Sequence, residues 1–226
     1  MSLESIEKKL NKFGGGNADD YVDFFHLSND GDTANVRFMH FGFDDLEGNA
    51  IKIIHDNVEI GESKRKVACL ETGDCPLCAE HSRYKFKMYL QLIDEDDGEL
   101  KVWERGKRLW PNVKNLIEQH EMMYKYPVEI VRHGKKGDTN TQYMLNVQFN
   151  GKELEIDEET KEKIEEQRKN IFGPEKANTV IERPKEDLIK MARGEFQFEG
   201  DKGKDNNSSN DSSDEDSGGS SKSDFF

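Results

Sequence analysis

Tyr84-Lys85-Phe86-Lys87-Met88-Tyr89-Leu90-Gln91-Leu92-Ile93 is an uninterrupted run of aromatic, aliphatic and cationic residues without glycine or proline. Such a run reads as a long β-strand. Residues 83, 85 and 87 fall on one face of that strand and are all cationic: Arg83, Lys85 and Lys87. A face built this way is no core face; it is either solvated or bound to an anion. Tyr84 and Phe86 point the other way, and for at least one of them the core is the expected destination.

Similar short runs flank it. Ala34–Met39, Ile51–Ile54, Leu100–Trp103, Pro127–Arg132 and Gln142–Phe149 alternate in the same way. Turn chemistry separates them, as at Asn29-Asp30-Gly31-Asp32 and Asp96-Asp97-Gly98. One helix interrupts the series, opened by Pro111 and lined by Val113, Leu116, Ile117 and His120. Six short strands around one helix fit a mainly β chain with a small OB-type barrel. A β-sandwich would not need the helix.

Outside this core, over residues 17–150, lie three further pieces. Leu3, Ile6, Leu10 and Phe13 mark an amphipathic helix in an N-terminal arm, residues 1–16, that ends at Gly14-Gly15-Gly16. Residues 151–200 read as a charged helical segment, with helices over 157–172 and 185–193 stopped by Gly173-Pro174 and Gly194. Residues 201–226 carry seven acids, three lysines and eight serines, with no apolar residue before Phe225-Phe226. That composition predicts a disordered acidic tail. Its end, Asp224-Phe225-Phe226, offers an apolar anchor and a carboxylate to a partner's pocket.

Composition narrows the class. The chain has 226 residues, 33% hydrophobic and 35% charged, with a net charge of −14. No apolar run approaches a membrane span, and the start Met1-Ser2-Leu3-Glu4 is unlike a secretory signal. A soluble protein that stays where it is made, with no membrane partner, is expected. Nothing indicates an enzyme: there is no phosphate-cradling glycine loop, no H-E-x-x-H and no activated nucleophile. The zinc-deaminase pattern also fails, because His55 is followed by Asp56-Asn57 and the Cys-Pro order is reversed.

The three cysteines, Cys69, Cys75 and Cys78, lie within ten residues. An odd, clustered set suits a metal better than disulfides. Cys75-Pro76-Leu77-Cys78 is a C-x2-C knuckle, and with Cys69 it supplies three thiolates for one tetrahedral zinc. His55 and His81 both qualify as the fourth ligand. A site closed by four protein ligands is structural, so one structural Zn2+ in a subdomain over about 52–82 is expected.

The negative total conceals basic groups interleaved with aromatics. These are Lys64-Arg65-Lys66, Arg83-Tyr84-Lys85-Phe86-Lys87, Trp103 with Arg105, Lys107 and Arg108, and Lys135-Lys136 after Arg132-His133-Gly134. Cations that follow phosphates and rings that stack on bases form a platform for single strands. Trp110, among apolar neighbours, reads as core; Trp103, beside Glu104-Arg105, reads as exposed.

In this order the features resemble the single-stranded DNA-binding, helix-destabilising proteins of large T-even-type tailed phages. The resemblance rests on Ala34–Met39, the segment His55–Cys78, the basic strand after it, Arg105–Trp110 before a helix, and Pro127–Val131. It implies an OB barrel with a zinc subdomain of one His and three Cys, and therefore His55 over His81. It also implies that Trp103 lies in the DNA cleft. The Cys69–Cys75 loop is shorter than the family pattern. The N-terminal arm lacks the family's basic motif for cooperative binding, leaving Lys8, Lys9 and Lys12 for any self-association on DNA. The implied function is coating single-stranded DNA in phage replication, recombination and repair, in the bacterial host's cytoplasm. The acidic tail then holds replication and recombination proteins. The alternative is a zinc-ribbon RNA-binding or transcription-associated adaptor.

Overall fold

The computed structural model describes residues 22–80, 84–120, 123–149 and 154–198. The expected N-terminal helix, His81, Arg83, and the tail with Asp224, Phe225 and Phe226 lie outside the described residues. Residues up to Phe196 belong to one compact unit.

The hub is β4 (Tyr84–Asp94), the long strand expected from its run without glycine or proline. It belongs to a mixed sheet of nine strands, so the chain is mainly β. One edge of β4 is shared by two partners. Its second half pairs with β1 (Thr33–Phe38), where Phe38 faces Leu92. Its first half pairs with β2 (Ile51–Ile60), where Ile51 faces Met88. The other edge pairs with β5 (Leu100–Gly106), where Leu90 faces Trp103. β1 continues to β6 (Val128–His133), and β6 to β7 (Gln142–Val147), all antiparallel.

Between β5 and β6 come a 3-10 turn, Lys107–Leu109, and helix α3 (Trp110–Gln119), with Pro111 in its first turn. Its apolar stripe, Val113, Leu116 and Ile117, is buried in one cluster with Val36, Phe38, Leu90, Leu92, Trp103 and Ile130. The strands at the two ends of this run, β5 and β7, approach each other where the Trp103 and Tyr143 rings meet edge-on at 5.0 Å.

Between β1 and β4 the chain makes an excursion richer than expected. It contains α1 (Phe43–Asn49), β2, β3 (Ser63–Ala68) and α2 (Pro76–Glu80). The sequence leads one to expect only the short strand Ile51–Ile54 here, with no helix and no β3. Strand β3, Ser63-Lys64-Arg65-Lys66-Val67-Ala68, buries only Val67, so it carries almost no alternation. Gly61, at φ 58, forms the tight turn from β2 into β3. One extra residue on β2 shifts the register between His55 and Val58, with Asn57 in the left-handed region at φ 62. This bulge lets His55 and Val58 both turn inward, and both are fully buried.

The segment expected to be only helical also extends the sheet. Helix α4 (Glu158–Ile171) is capped by Asp157, whose carboxylate accepts the Thr160 N–H at 2.8 Å. Two short parallel strands follow, β8 (Phe172–Gly173) and β9 (Val180–Ile181), and β9 joins β3 through Val67 and Ile181. Helix α5 (Lys185–Ala192) ends before Gly194 at φ 72 and packs on α2, with Leu77, Leu188 and Met191 buried.

A buried polar network fastens α4 to β4. Arg168 donates to Gln91 Oε1 at 2.7 Å and pairs with Asp45 at 2.9 Å. Gln91 donates to the Ile164 carbonyl at 2.9 Å, and its backbone N–H donates to His40 Nε2 at 3.1 Å. His40 Nδ1 faces Asp45 at 3.6 Å.

Candidate metal centre and nucleic-acid interface

His55, Cys69, Cys75 and Cys78 converge, with their ligand atoms all within 4.8 Å of one another. His55 Nε2 lies 3.5 Å from Cys75 Sγ and 3.7 Å from Cys78 Sγ, and Cys69 Sγ lies 3.5 Å from Cys78 Sγ. A tetrahedral zinc with ordinary Zn–S and Zn–N bonds has ligand–ligand edges of about 3.6–3.8 Å. The four side chains therefore fit one metal ion. Each ligand is held by local structure: His55 by the bulge in β2, Cys69 at the end of β3, and Cys75 and Cys78 around the start of α2. The Glu71 N–H donates to Cys69 Sγ at 3.4 Å, and the Cys78 N–H donates to the Cys75 carbonyl at 3.1 Å. Without a cation, burial pushes the Cys69 thiol up to about 12; a divalent ion removes that cost by holding the thiolate.

The second feature is a cleft of 1090 Å³ walled by the start of β4, the end of β5, the 3-10 turn and β7. Tyr84, Lys85, Phe86, Lys87, Arg105, Lys107 and Arg108 line it, so seven of the expected DNA-contacting residues meet in one place. Tyr84 is 62% exposed, whereas Phe86 is half-buried and packs against Trp110. Gly106, Asn112 and residues 139–144 complete the wall. The sequence reading missed this contribution. Its one available signal was the glycine-flanked basic turn at Gly134-Lys135-Lys136-Gly137, which folds the following strand back onto β6.

The cleft cations differ in their partners. Lys85 pairs with Asp56 at 2.8 Å. Glu104 bridges Lys87, at 2.5 Å, and Lys66. Burial raises the Glu104 carboxyl, but the two ammonium groups outweigh it and hold it below its ordinary value. Among the described residues no carboxylate side chain pairs with Arg105, Lys107 or Arg108. Arg105 lies over the Trp103 and Tyr143 rings at 4.7 and 4.6 Å and donates to the Tyr143 hydroxyl at 2.9 Å. Arg132 donates to the same oxygen at 2.8 Å. Burial lowers the Arg105 pKa, and its Nε is buried without an acceptor.

Trp103 corrects the sequence reading. It is fully buried, packed on Phe25, Phe38 and Tyr143, so it is a core residue and offers no face to a base. Polar neighbours misled: in a strand Glu104 takes the opposite face, and the Arg105 guanidinium folds back over the indole. Trp110, read as core, is half-buried against the core cluster.

Lys64, Arg65 and Lys66 do not join the cleft. Arg65 donates to the carbonyls of Lys176 and Asn178, and Lys64 faces Glu59 at 3.9 Å. Lys135 and Lys136 are exposed on the β6–β7 turn, beside the cleft but not lining it. Among the described residues no helix is long and apolar enough to cross a membrane. Comparison with known families, curated proteins and solved structures finds no match for the chain.

Proposed function

We propose that the protein binds single-stranded DNA in the cleft between β4, β5 and β7, on an OB-type barrel braced by one structural zinc. The observation that carries this reading is the cleft itself. Cations from three separate stretches of sequence, Lys85 and Lys87, Arg105, and Lys107 and Arg108, line one groove with Tyr84 and Phe86. Charge along the walls with rings within reach suits an unpaired strand, whose bases are free to stack. The barrel is supported by the strand order β7-β6-β1-β4-β5, by the helix between β5 and β6, and by the Trp103–Tyr143 contact between the two end strands. Zinc is supported by the Cys3His donor set and its spacing.

On this reading the chain covers exposed strands during phage DNA replication, recombination and repair in the bacterial cytoplasm. Its acidic tail recruits replication partners, and its N-terminal arm contacts the next copy. It performs no catalysis.

Anisotropy titrations with fluorescein-labelled oligo-dT, oligo-U and a duplex of equal length test the proposal. Tight, salt-sensitive binding to oligo-dT with weak duplex binding is expected. Equal or tighter duplex binding overturns it, and binding confined to oligo-U favours an RNA-binding adaptor.

A further inference from the structure

Within the Cys3His cluster the four ligands are not equally reachable. Cys75 and His55 are buried, whereas Cys69 and Cys78 are both partly exposed. These two exposed sulfurs are 3.5 Å apart. Closing that gap to a disulfide requires a movement of about 1.5 Å. Cys69 sits on the last turn of chain after β3, and Cys78 on the single-turn helix α2. Such short elements can make that movement without disturbing the long strands.

We propose that Cys69 and Cys78 form a modification site: a two-electron oxidant of the peroxide class joins them as a disulfide and expels the metal. The Cys69 or Cys78 thiolate attacks one peroxide oxygen, the O–O bond breaks, and one hydroxide leaves with a proton as water. The resulting sulfenic acid is attacked by the other thiolate, the S–S bond forms, and a second hydroxide leaves and is protonated. Two electrons pass from sulfur to peroxide and two protons are consumed. Cys75 and His55 alone then hold the ion, and two ligands do not retain it against water.

The site also bears on the cleft, and this consequence rests on the DNA-binding reading. Strand β2 carries His55, and its residues Ile53, Ile54 and His55 pair with Phe86, Lys85 and Tyr84 of the cleft wall. Releasing His55 from the metal loosens the strand that holds that wall in place. Oxidation should therefore weaken binding of a single strand, and a thiol reductant with added zinc should restore it.

The test uses the full chain purified with its metal, whose content is measured first. Hydrogen peroxide is added in steps while released zinc is read with a colorimetric chelator and free thiols are counted. About one zinc should appear as two of the three thiols disappear, and peptide mapping should find Cys69 linked to Cys78. Zinc release with all thiols still free, a linkage through Cys75, or metal that survives peroxide would each overturn the proposal. A protein purified without metal overturns it together with the zinc reading.

The Cys78→His variant keeps four ligand side chains but removes one sulfur. It should bind zinc and form no Cys69 disulfide under the same dose; the same loss of thiols in that variant overturns the assignment. Oligo-dT affinity is followed on the same samples. Disulfide formation with unchanged affinity overturns the link to the cleft alone. Failure of the reduced, metal-loaded protein to bind oligo-dT counts against the DNA reading and not against the disulfide.

Discussion

His55 and Tyr84 face each other across the β2–β4 ladder, so the buried ligand of the metal cluster and the most exposed ring of the cleft are register partners. The two sites share a strand pair. What stabilises one positions the other.

Removing the metal should therefore affect both. One equivalent of zinc is expected in the purified protein by elemental analysis. His55→Ala and Cys75→Ser should each lose it and lower the melting temperature, since binding a structural zinc is coupled to folding. His81→Ala should keep it. If His81→Ala releases zinc and His55→Ala does not, the ligand set is wrong.

The two aromatic positions should separate binding from folding. Tyr84→Ala should weaken oligo-dT binding by roughly 1–3 kcal/mol, the worth of one stacked base, with little change in stability. Trp103→Ala should instead cost about 3–5 kcal/mol of stability, because it empties the core between Phe25, Phe38 and Tyr143. Denaturant melts beside titrations measure both. Unchanged affinity in a folded Tyr84→Ala removes Tyr84 from the interface.

Salt dependence reports which cations meet phosphate. Three cleft cations without carboxylate partners, each worth about 0.7 in slope, predict log K falling with log[salt] at roughly −2. The slope reaches about −3.5 if Lys85 and Lys87 exchange their acids for phosphates. Glu104→Gln frees Lys87, the one of its two partners that lines the cleft, so it should tighten binding at low salt and steepen the slope by up to ~0.7. A salt-insensitive affinity rules out the electrostatic groove.

Acid should loosen the attachment of α4 to β4. Burial lowers the His40 pKa from 6.5. At Asp45, burial raises the carboxyl, but His40, the Phe41 N–H, Asn49 and Arg168 together hold it well below 3.8. Both groups bind fewer protons folded than unfolded, so their contribution is complete above pH 6.5 and declines as the pH falls. The His40 part goes first, below about 6.5, and the Asp45 part below about 4. Melting temperatures measured from pH 8 to pH 3 should fall in that order. Asp45→Asn removes one of the two carboxylates on the buried Arg168 and leaves Glu165 at 2.5 Å, so it should cost roughly 1–3 kcal/mol at neutral pH. A melting temperature that rises on acidification contradicts the assignment.

The metal ligands were legible because their chemistry is local: three cysteines in ten residues leave few geometries, and the resemblance favoured His55, which does converge with them. The main strands were legible too, since Tyr84–Ile93 is an unbroken run of strand-forming residues, buried on both faces from Met88 to Leu92. Strand β3 was not, because its pairing on both edges is carried by backbone hydrogen bonds while its side chains are mostly charged. Strands β8 and β9 are two residues each and leave no periodic trace. Trp103 was misread because adjacency in sequence was taken for adjacency on a face, and strands reverse that rule. Tyr143 and Arg132 are register partners in the β6–β7 hairpin; what no local pattern encodes is the meeting of that hairpin with β5, where Tyr143 touches Trp103 and Arg105.

The bonds from Arg65 to the carbonyls of Lys176 and Asn178 span 111 and 113 residues, alongside the β3–β9 pairing. A ribosome adding about 5–20 residues per second needs roughly 5–20 seconds to cover that distance. During that interval the outer edge of β3 has no native partner, and an unpaired edge invites association with other chains. The four metal ligands have all been made by then, since the last is Cys78. Metal capture can thus order the β2–β3 hairpin on the nascent chain, and the three cations of β3 keep its open edge apart from its like until the final strands arrive.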